Sequence, residues 1–320
     1  MHKKFNIDFI GHRKIYFIIS AVMVAVSILA TFVLGADLDI QFKGGTIITY
    51  VYDGEIDGNA FAADAKEILG GTGVNYTTGV DFSTGKNNIQ LSLISTDGLS
   101  SDKQFELTNS LSEKYAANNL ELIESSDVSP SSGKEFFLKC IVAVILSSIV
   151  LILYIAVRFR KIGGWLAGIC AIIALLHDCT IVYGTFIVCG MSINANFMAV
   201  LLTILGYSIN DTIVVYDRVR ENTRLYGKSK NRNEIVNLSI NQCLTRSLNT
   251  SITTVMAMLT VTIVSAVCGV TSIISFSLPV MIGMIAGTYS SVCFTTPLWA
   301  FFEDKKSGKQ KGGKPVSNKA

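Results

Sequence analysis

An acidic side chain stands inside a long apolar segment of this chain. Residues 201–222 read LLTILGYSINDTIVVYDRVREN, in which Asp211 follows mainly aliphatic residues and Asp217 opens a charged stretch. An acid at the centre of a membrane helix costs about 2.5 to 3.5 kcal/mol on insertion scales, so its presence indicates a function by default. A rise of 1.5 Å per residue places Asp211 about 9 Å inside the boundary that Asp217 marks. The sequence predicts a carboxyl group that binds and releases protons within the membrane; the alternative is a structural acid paired to a neighbouring helix.

The residues around this acid are also polar. Tyr207 and Ser208 lie one helical turn before Asp211 on the same face, where they can donate hydrogen bonds, and Asn210 directly precedes the acid. Arg246, in the segment TRSLNTS, is the natural counter-charge at the start of a later apolar segment. The alternative role for this arginine is an interfacial anchor that reaches lipid headgroups.

Polar residues continue beyond the arginine. Asn249, Thr250 and Ser251 follow it, which is typical of a helix that lines a hydrated path between protein neighbours. A second polar pair, His177 and Asp178, lies within an earlier apolar segment. This histidine can relay protons and this acid can hydrogen-bond across helices, with a satisfied packing pair as the equally open alternative.

Signals for covalent or cofactor chemistry are missing from the sequence. The chain contains no Walker loop, no Cys/His set with metal-ligand spacing, no G-x-S-x-G motif and no HExxH motif. We therefore expect no enzymatic activity, no cofactor and no metal site. Basic stretches beside membrane segments contact anionic lipid headgroups, so the bilayer rather than nucleic acid is the expected partner of the basic regions.

The composition and the charge distribution indicate the class and topology. Half of the 320 residues are hydrophobic and 16% are charged, which excludes an ordinary soluble domain. Residues 36–135 carry 16 acidic residues against six lysines, a net charge of 6 − 16 = −10, and the rest carries 21 basic against eight acidic residues, a net charge of +13. Because Lys and Arg in short flanks stay on the cytoplasmic side, the acidic region is expected outside and both termini inside.

The sequence predicts a polytopic α-helical membrane protein with six transmembrane helices. The first apolar segment lacks an Ala-x-Ala cleavage site and is long enough to span, so we expect a retained helix rather than a signal peptide. The predicted parts, in chain order, are a cytoplasmic N-terminus (1–14), the first span (15–34), an extracytoplasmic domain (36–135), three further spans (136–157, 163–189 and 196–216), a cytoplasmic loop with the start of the fifth helix (217–248), the last two spans (249–267 and 271–302) and a disordered basic cytoplasmic tail (303–320).

The acidic region is predicted to be a small α+β domain. Strand-like stretches with β-branched and aromatic residues alternate with two stretches of helical spacing. Ser101 and Gln104 form a capping-box pattern at the start of the second helix. The order is β-α-β-β-α-β, the split arrangement of ferredoxin-like domains, with strands at 39–53, 74–80, 88–95 and 120–128 and helices at 58–69 and 101–117.

Six segments of the chain are distinctive: DIQFKGGT (39–46), YIAVRF (154–159), the pair His177-Asp178, a 17-residue block (206–222), TRSLNTS (245–251) and GTYSS (287–291). Together they resemble the SecF subunits of the bacterial SecD/SecF protein-export family, within the RND transporter superfamily. The resemblance covers nearly everything from residue 7 to about residue 302. A 17-residue block of this kind, GYSINDTIVVYDRVREN, is highly specific.

The resemblance implies an RND-like half bundle in the bacterial cytoplasmic (inner) membrane. It implies that Asp211 and Arg246 are the acid and the arginine on which proton-driven function depends. The implied partners are a SecD subunit from a separate polypeptide, the SecYEG channel, the SecA motor and the exported preprotein. The expected function is use of the proton-motive force to assist Sec-dependent protein translocation. The alternatives are an RND-type half-transporter for small molecules or lipids, and a non-conducting scaffold subunit of the translocon.

Overall fold

The protein consists of a helical bundle and one α+β domain. A computed structural model describes residues 6–71, 73–80, 85–93, 99–227, 229–268 and 270–311. Within this part of the chain, six helical stretches are long and apolar enough to cross a membrane. They are α1 (Arg13–Leu34), α5 (Pro130–Arg158), α6 (Gly164–Val188), α7 (Ala195–Tyr226), α8 (Arg232–Val267), and a last span made of α9 (Thr271–Tyr289), a π-helical turn (Ser290–Thr295) and α10 (Thr296–Lys311).

Local sequence signals explain where the long helices begin. Asn194 caps α7, because its side chain accepts a hydrogen bond from the amide of Phe197 at 3.3 Å. Asn231 caps α8 in the same way, accepting from the amide of Glu234 at 2.9 Å. Capping side chains satisfy amides that have no partner inside the helix. The two caps fix the N-terminal starts of α7 and α8. These two helices form a helical hairpin that carries Asp211 and Arg246.

The α6 and α7 helices lie at the centre of the bundle, since each packs against α5, α9 and α10 as well as against the other. One apolar core forms around Phe159, Tyr216 and Trp299, where α7 meets α5 and α10. A second core forms around Phe186, Phe197 and other side chains near the opposite end of α7. The apolar surface of α1 and α5 is largely exposed, as expected for helices that face lipid.

The α+β domain contains a four-stranded antiparallel sheet with the strand order β2-β3-β1-β4. Helices α3 and α4 cover one face, where Tyr50, Phe61 and Leu107 are almost wholly buried. The chain order is β-α-β-β-α-β, as predicted from the sequence. The elements are β1 (Gly45–Tyr52), α3 (Gly58–Ile68), β2 (Val74–Val80), β3 (Asn87–Leu93), α4 (Ser101–Lys114) and β4 (Glu121–Val128).

The prediction of a strand at residues 39–53 was wrong for residues 40–43. Residues Ile40–Lys43 form a short helix, α2, which Asp39 caps by accepting from the amide of Gln41 at 2.9 Å. Phe42 of this turn is buried against α5. Gly44, with φ of 88°, then lets the chain turn into β1. The tertiary contact of one aromatic ring overrides the local strand propensity.

Two further predicted boundaries need correction. Ser100, not Ser101, is the residue before the first turn of α4, and its side chain makes no capping hydrogen bond. The predicted disordered tail began at residue 303, whereas α10 continues to Lys311. Residues 312–320 of that tail, like residues 1–5 of the predicted N-terminal segment, lie outside the described part of the chain.

The core of the α+β domain gives a first stability prediction. Ile89 is fully buried in the middle of β3, so Ile89→Val should lower the free energy of unfolding of the domain by about 0.5 to 1.5 kcal/mol. Ile123→Val is the matched control, because 55% of that side chain is exposed and little buried volume is lost. Protease resistance of the domain in denaturant measures both changes. Equal effects of the two substitutions would contradict the described packing.

Candidate functional site

The carboxyl group of Asp211 lies buried in the middle of α7. Its side chain is 4% exposed, and its Oδ2 atom has no hydrogen-bond partner among the residues that the structure describes. Burying a polar atom without a partner costs about 1 to 3 kcal/mol, and more for a charged group. A carboxyl group that carries this cost of burial in an apolar helix is suited to a change of protonation state. The predicted role of Asp211 in binding and releasing protons stays a prediction.

Arg246 lies across from this acid on α8 but does not form an ion pair with it. No basic nitrogen of the described residues lies within 4.0 Å of the Asp211 carboxylate. Arg246 is nevertheless close enough for its charge to act on Asp211. Its side chain is exposed on the surface of the bundle. The two predicted partners therefore do not form a direct ion pair.

The two side chains predicted to donate to Asp211 donate elsewhere. The hydroxyl of Ser208 donates to Asp178 at 2.6 Å, and the hydroxyl of Tyr207 donates to Ser251 at 3.3 Å. Ser251 in turn shares a hydrogen bond of 2.5 Å with Thr288 of α9. The two hydroxyls turn toward α6 and α8. The prediction of a local hydrogen bond to the acid was wrong.

Asp178 is the centre of a buried polar network. It is fully buried, and its Oδ2 accepts hydrogen bonds from Ser208 of α7 at 2.6 Å and from Ser290 of the π-helical turn at 2.8 Å. Its Oδ1 lies 2.9 Å from Nδ1 of His177. Three elements thus contribute one polar group each to a single carboxylate. The sequence predicted this acid as a supporting residue, and its contacts hold α6, α7 and the last span together.

His177 extends this network toward α1. Its ring stacks on Phe294, with 5.6 Å between ring centroids and an interplanar angle of 18°. Its Nε2 atom is buried without a hydrogen-bond partner in the described part of the chain. Tyr289, a second ring beside it, donates through its hydroxyl to the carbonyl of Tyr16 in α1 at 2.8 Å. One ring nitrogen of His177 is therefore paired, and the other has no partner among the described residues.

The π-helical turn was not predicted from the sequence. Ser291 shares a hydrogen bond of 2.9 Å with Thr212 and donates to the carbonyl of Ser208 at 3.1 Å. Thr295 and Thr296 donate back to backbone carbonyls within the turn. Single π turns inside helices are frequent at functional sites. The sequence signal was Pro297, which has no amide and cannot continue the regular hydrogen-bond ladder.

The remaining predicted residues face outward. Asn210 of α7 and Asn249 and Thr250 of α8 are exposed, as is Arg246. Polar side chains at membrane depth normally face protein or water rather than lipid. An exposed polar face of this kind on α7 and α8 is therefore typical of a surface that contacts another protein or water. Within the described residues, no group of three or more His, Cys, Asp or Glu side chains is placed to hold a metal ion.

Comparison with known proteins assigns this architecture to a family. Residues 108–305 match the family model described as protein export membrane protein SecD/SecF, C-terminal. The protein translocase subunit SecF of Petrotoga mobilis is 35% identical over 315 residues, covering 92% of this chain and 95% of that protein. The protein of the same name from Rickettsia bellii is 32% identical over 304 residues, covering 95% of both chains.

A solved structure has the same fold. The crystal structure of SecDF, a translocon-associated membrane protein from Thermus thermophilus, superposes with a TM-score of 0.78 at 28% identity. The match covers 95% of this chain but only 39% of the SecDF chain, so this chain spans well under half of that protein. The matched family model, the two relatives and the shared fold agree with one another. The chain belongs to the SecD/SecF family of protein export membrane proteins.

Proposed function

We propose that this chain is the SecF-like half of a SecD/SecF complex that uses the proton-motive force to assist Sec-dependent protein translocation across the bacterial cytoplasmic membrane. The observation that carries the proposal is Asp211, which is buried in an apolar helix with one carboxylate oxygen unpartnered. Relatives of nearly the same length bear the name protein translocase subunit SecF, which supports a role in protein export.

Proton binding at Asp211 changes the forces between α7 and α8. The ionised acid attracts Arg246 across the helix contact, and the neutral acid does not. A proton that crosses the full membrane field releases about 2.3 kcal/mol per 100 mV. That amount shifts a conformational equilibrium by more than tenfold, but it is too small to unfold a domain. The step is therefore a repacking of helices that helps the exported chain move forward, without covalent chemistry, cofactor or metal.

The exposed polar face supports a partner in the membrane. Thr203, Gly206 and Asn210 lie on one face of α7, and Arg246 and Asn249 lie exposed on α8. Small and polar residues are typical of helix–helix contacts within a bilayer. We assign this face to a SecD subunit from a separate chain, which completes the RND-like bundle and encloses the proton path. The SecYEG channel, the SecA motor and the exported preprotein are the further partners in the proposal.

The charge distribution supports an orientation. Arg158 pairs with Asp217 at 3.1 Å and Arg232 pairs with Asp304 at 3.4 Å, so the basic connections lie together at one end of the bundle. The α+β domain, with its net charge of −10, lies at the other end of α7. By the positive-inside rule the basic end and both termini are cytoplasmic. The β2-β3-β1-β4 sheet supports a ferredoxin-like extracytoplasmic domain.

Reconstituted export tests the proposal. The chain is purified with a SecD partner, placed in proteoliposomes with SecYEG, and supplied with SecA, ATP and a labelled preprotein. An imposed proton gradient should speed completion of translocation only when both subunits are present, and an uncoupler should remove the gain. A gain that survives the uncoupler would instead identify a scaffold subunit. Gradient-driven export of a small molecule or lipid without any effect on the preprotein would support the half-transporter alternative.

A further inference from the structure

The α+β domain is joined to α5 by a short link and a buried contact. Ser129 alone separates β4 from α5, which leaves almost no flexible chain between them. Phe42 of α2 packs against Phe136 and Phe137 at the start of α5, with ring centroids 5.6 Å and 5.1 Å apart. A short covalent link and a buried aromatic contact together resist bending. Movement of the domain therefore requires movement relative to the other helices, above all to α6 and α7.

The chain between α1 and α2 pairs with the outer turn, residues 189–194, which joins α6 to α7. The amide of Ile193 donates to the carbonyl of Asp37 at 2.8 Å, and the amide of Asp39 donates to the carbonyl of Ile193 at 3.0 Å. Leu38 and Ile193 form an isolated parallel bridge. The root of the domain is thus held against the outer turn by a short backbone ladder.

The carboxylate of Asp37 joins three parts of the protein at this point. Its Oδ2 accepts hydrogen bonds from Ser192 of the outer turn at 2.9 Å and from Asn75 of β2 at 2.5 Å. Its Oδ1 lies 3.7 Å from Nζ of Lys43 in α2. Hydrogen bonds to a charged acceptor are about twice as strong as neutral ones. One side chain therefore connects the bundle, the sheet and the short helix that rests on α5.

The short helix α2 contacts the first residue of α7. Oε1 of Gln41 accepts a hydrogen bond from the amide of Ala195 at 3.0 Å, satisfying one of the free amides at the helix start. From there α7 runs without a proline to Asp211, a distance of about 24 Å. By contrast, α1 ends at Gly35, with φ of 77°, and an added Cβ there would meet no atom within 4 Å. The stiff connection from the buried acid to the domain passes through α7.

We propose that Asp37 is a positioning residue that transmits movement of α7 to the α+β domain. The inference rests on the proposed proton-driven function of Asp211. Asp37 keeps the outer turn and β2 in contact while α7 shifts. Loss of its carboxylate uncouples the α+β domain from the helical bundle, and both of them stay folded.

Hydrogen exchange under a proton gradient tests the coupling. The complex with its SecD partner is placed in proteoliposomes, and amide exchange of β2 is measured with and without the gradient. In the unchanged protein, exchange of β2 should differ between the two conditions. Asp37→Ala should abolish this difference, and Asp37→Asn should restore part of it because the amide oxygen still accepts a hydrogen bond. A merely structural role would change exchange equally in both conditions.

Matched variants complete the experiment. Asp64→Ala is the control, because Asp64 pairs with Lys114 at 2.7 Å and accepts from Tyr115 at 2.7 Å, all within the domain. This variant should keep the gradient-dependent difference. Ser192→Ala removes only the donor from the outer turn, so it should lose the difference without disturbing the domain, even where Asp37→Ala folds poorly.

The outcomes separate this inference from the proposed function. Loss of the difference in Asp211→Asn, Asp37→Ala and Ser192→Ala, with retention in Asp64→Ala, supports the coupling role. Loss in Asp211→Asn together with retention in Ser192→Ala and Asp37→Ala overturns it and leaves proton-driven function standing. Retention in Asp211→Asn overturns the proposed function and, with it, the role of Asp37.

Discussion

Asp211→Asn should abolish the stimulation of protein export by a proton gradient. The amide is nearly the same size as the acid and stays neutral at every pH, so α7 keeps its packing but loses its change of charge. Export driven by SecA and ATP alone should continue at its basal rate. The expected effect on the gradient-dependent part is complete loss, measured as translocated preprotein per unit time in proteoliposomes with and without an uncoupler.

Asp217→Asn is the matched control for this experiment. Asp217 lies on the same helix six residues later, but it is partly exposed and pairs with Arg158 and Arg220 at the end of the bundle. Exposed ion pairs contribute about 0 to 1 kcal/mol, so this variant should retain gradient stimulation. The double variant Asp211→Asn with Arg246→Gln should be as inactive as Asp211→Asn alone. Full gradient-stimulated export in either variant of Asp211 would exclude the proton-relay role.

Asp178→Ala should cause the largest loss of stability among single changes in the membrane part of the protein. It removes the common acceptor of Ser208 and Ser290 and the partner of His177. Ser208 Oγ and His177 Nδ1 then lose their partner, whereas Ser290 still donates to the carbonyl of Gly287 at 3.1 Å. Leaving a buried donor without a partner costs about 1 to 3 kcal/mol for each group. The purified protein in detergent should melt well below the unchanged protein, as followed by the loss of monodisperse material on heating.

Two comparisons make the stability prediction specific. Asp178→Asn keeps one oxygen acceptor in place, so its melting temperature should fall between those of Asp178→Ala and the unchanged protein. Asp217→Ala removes an exposed carboxylate of the same kind and should change the melting temperature little. If Asp178→Ala melted no earlier than Asp217→Ala, the network would not be what holds α6, α7 and the last span together.

The membrane spans and the order of the α+β elements could be predicted from the sequence because their signals are local. Long apolar runs, basic flanks and strand alternation are each read from neighbouring residues. The short helix Ile40–Lys43 could not be predicted in this way. It forms because Phe42 packs on Phe136 and Phe137, about a hundred positions away in the chain. Helix boundaries also extended beyond the predicted spans, since hydrophobicity locates the bilayer but not the end of a helix.

For the candidate site, the sequence indicated two acids within apolar segments but not their hydrogen-bond partners. Asp211 and Asp178 both stand out as acids in apolar segments. Ser208 donates to Asp178 rather than to Asp211, and that choice depends on the packing of α6 against α7. Ser290 lies more than a hundred residues from Asp178, so no spacing rule connects the two. Arg246 was predicted as a direct partner, and its separation from Asp211 arises from the packing of α7 against α8.

The π-helical turn has a geometric consequence for the last span. Each residue of an α-helix advances the side-chain direction by about 100°, and a π turn contains one residue more than a regular turn. The side chains of α10 therefore lag behind the direction that α9 would give them in an uninterrupted helix. This phase offset brings Trp299 to face Tyr216, with ring centroids 6.1 Å apart. If the extra residue moved along the span, each turn that it passed would rotate in sequence. The helix as a whole would not need to slide.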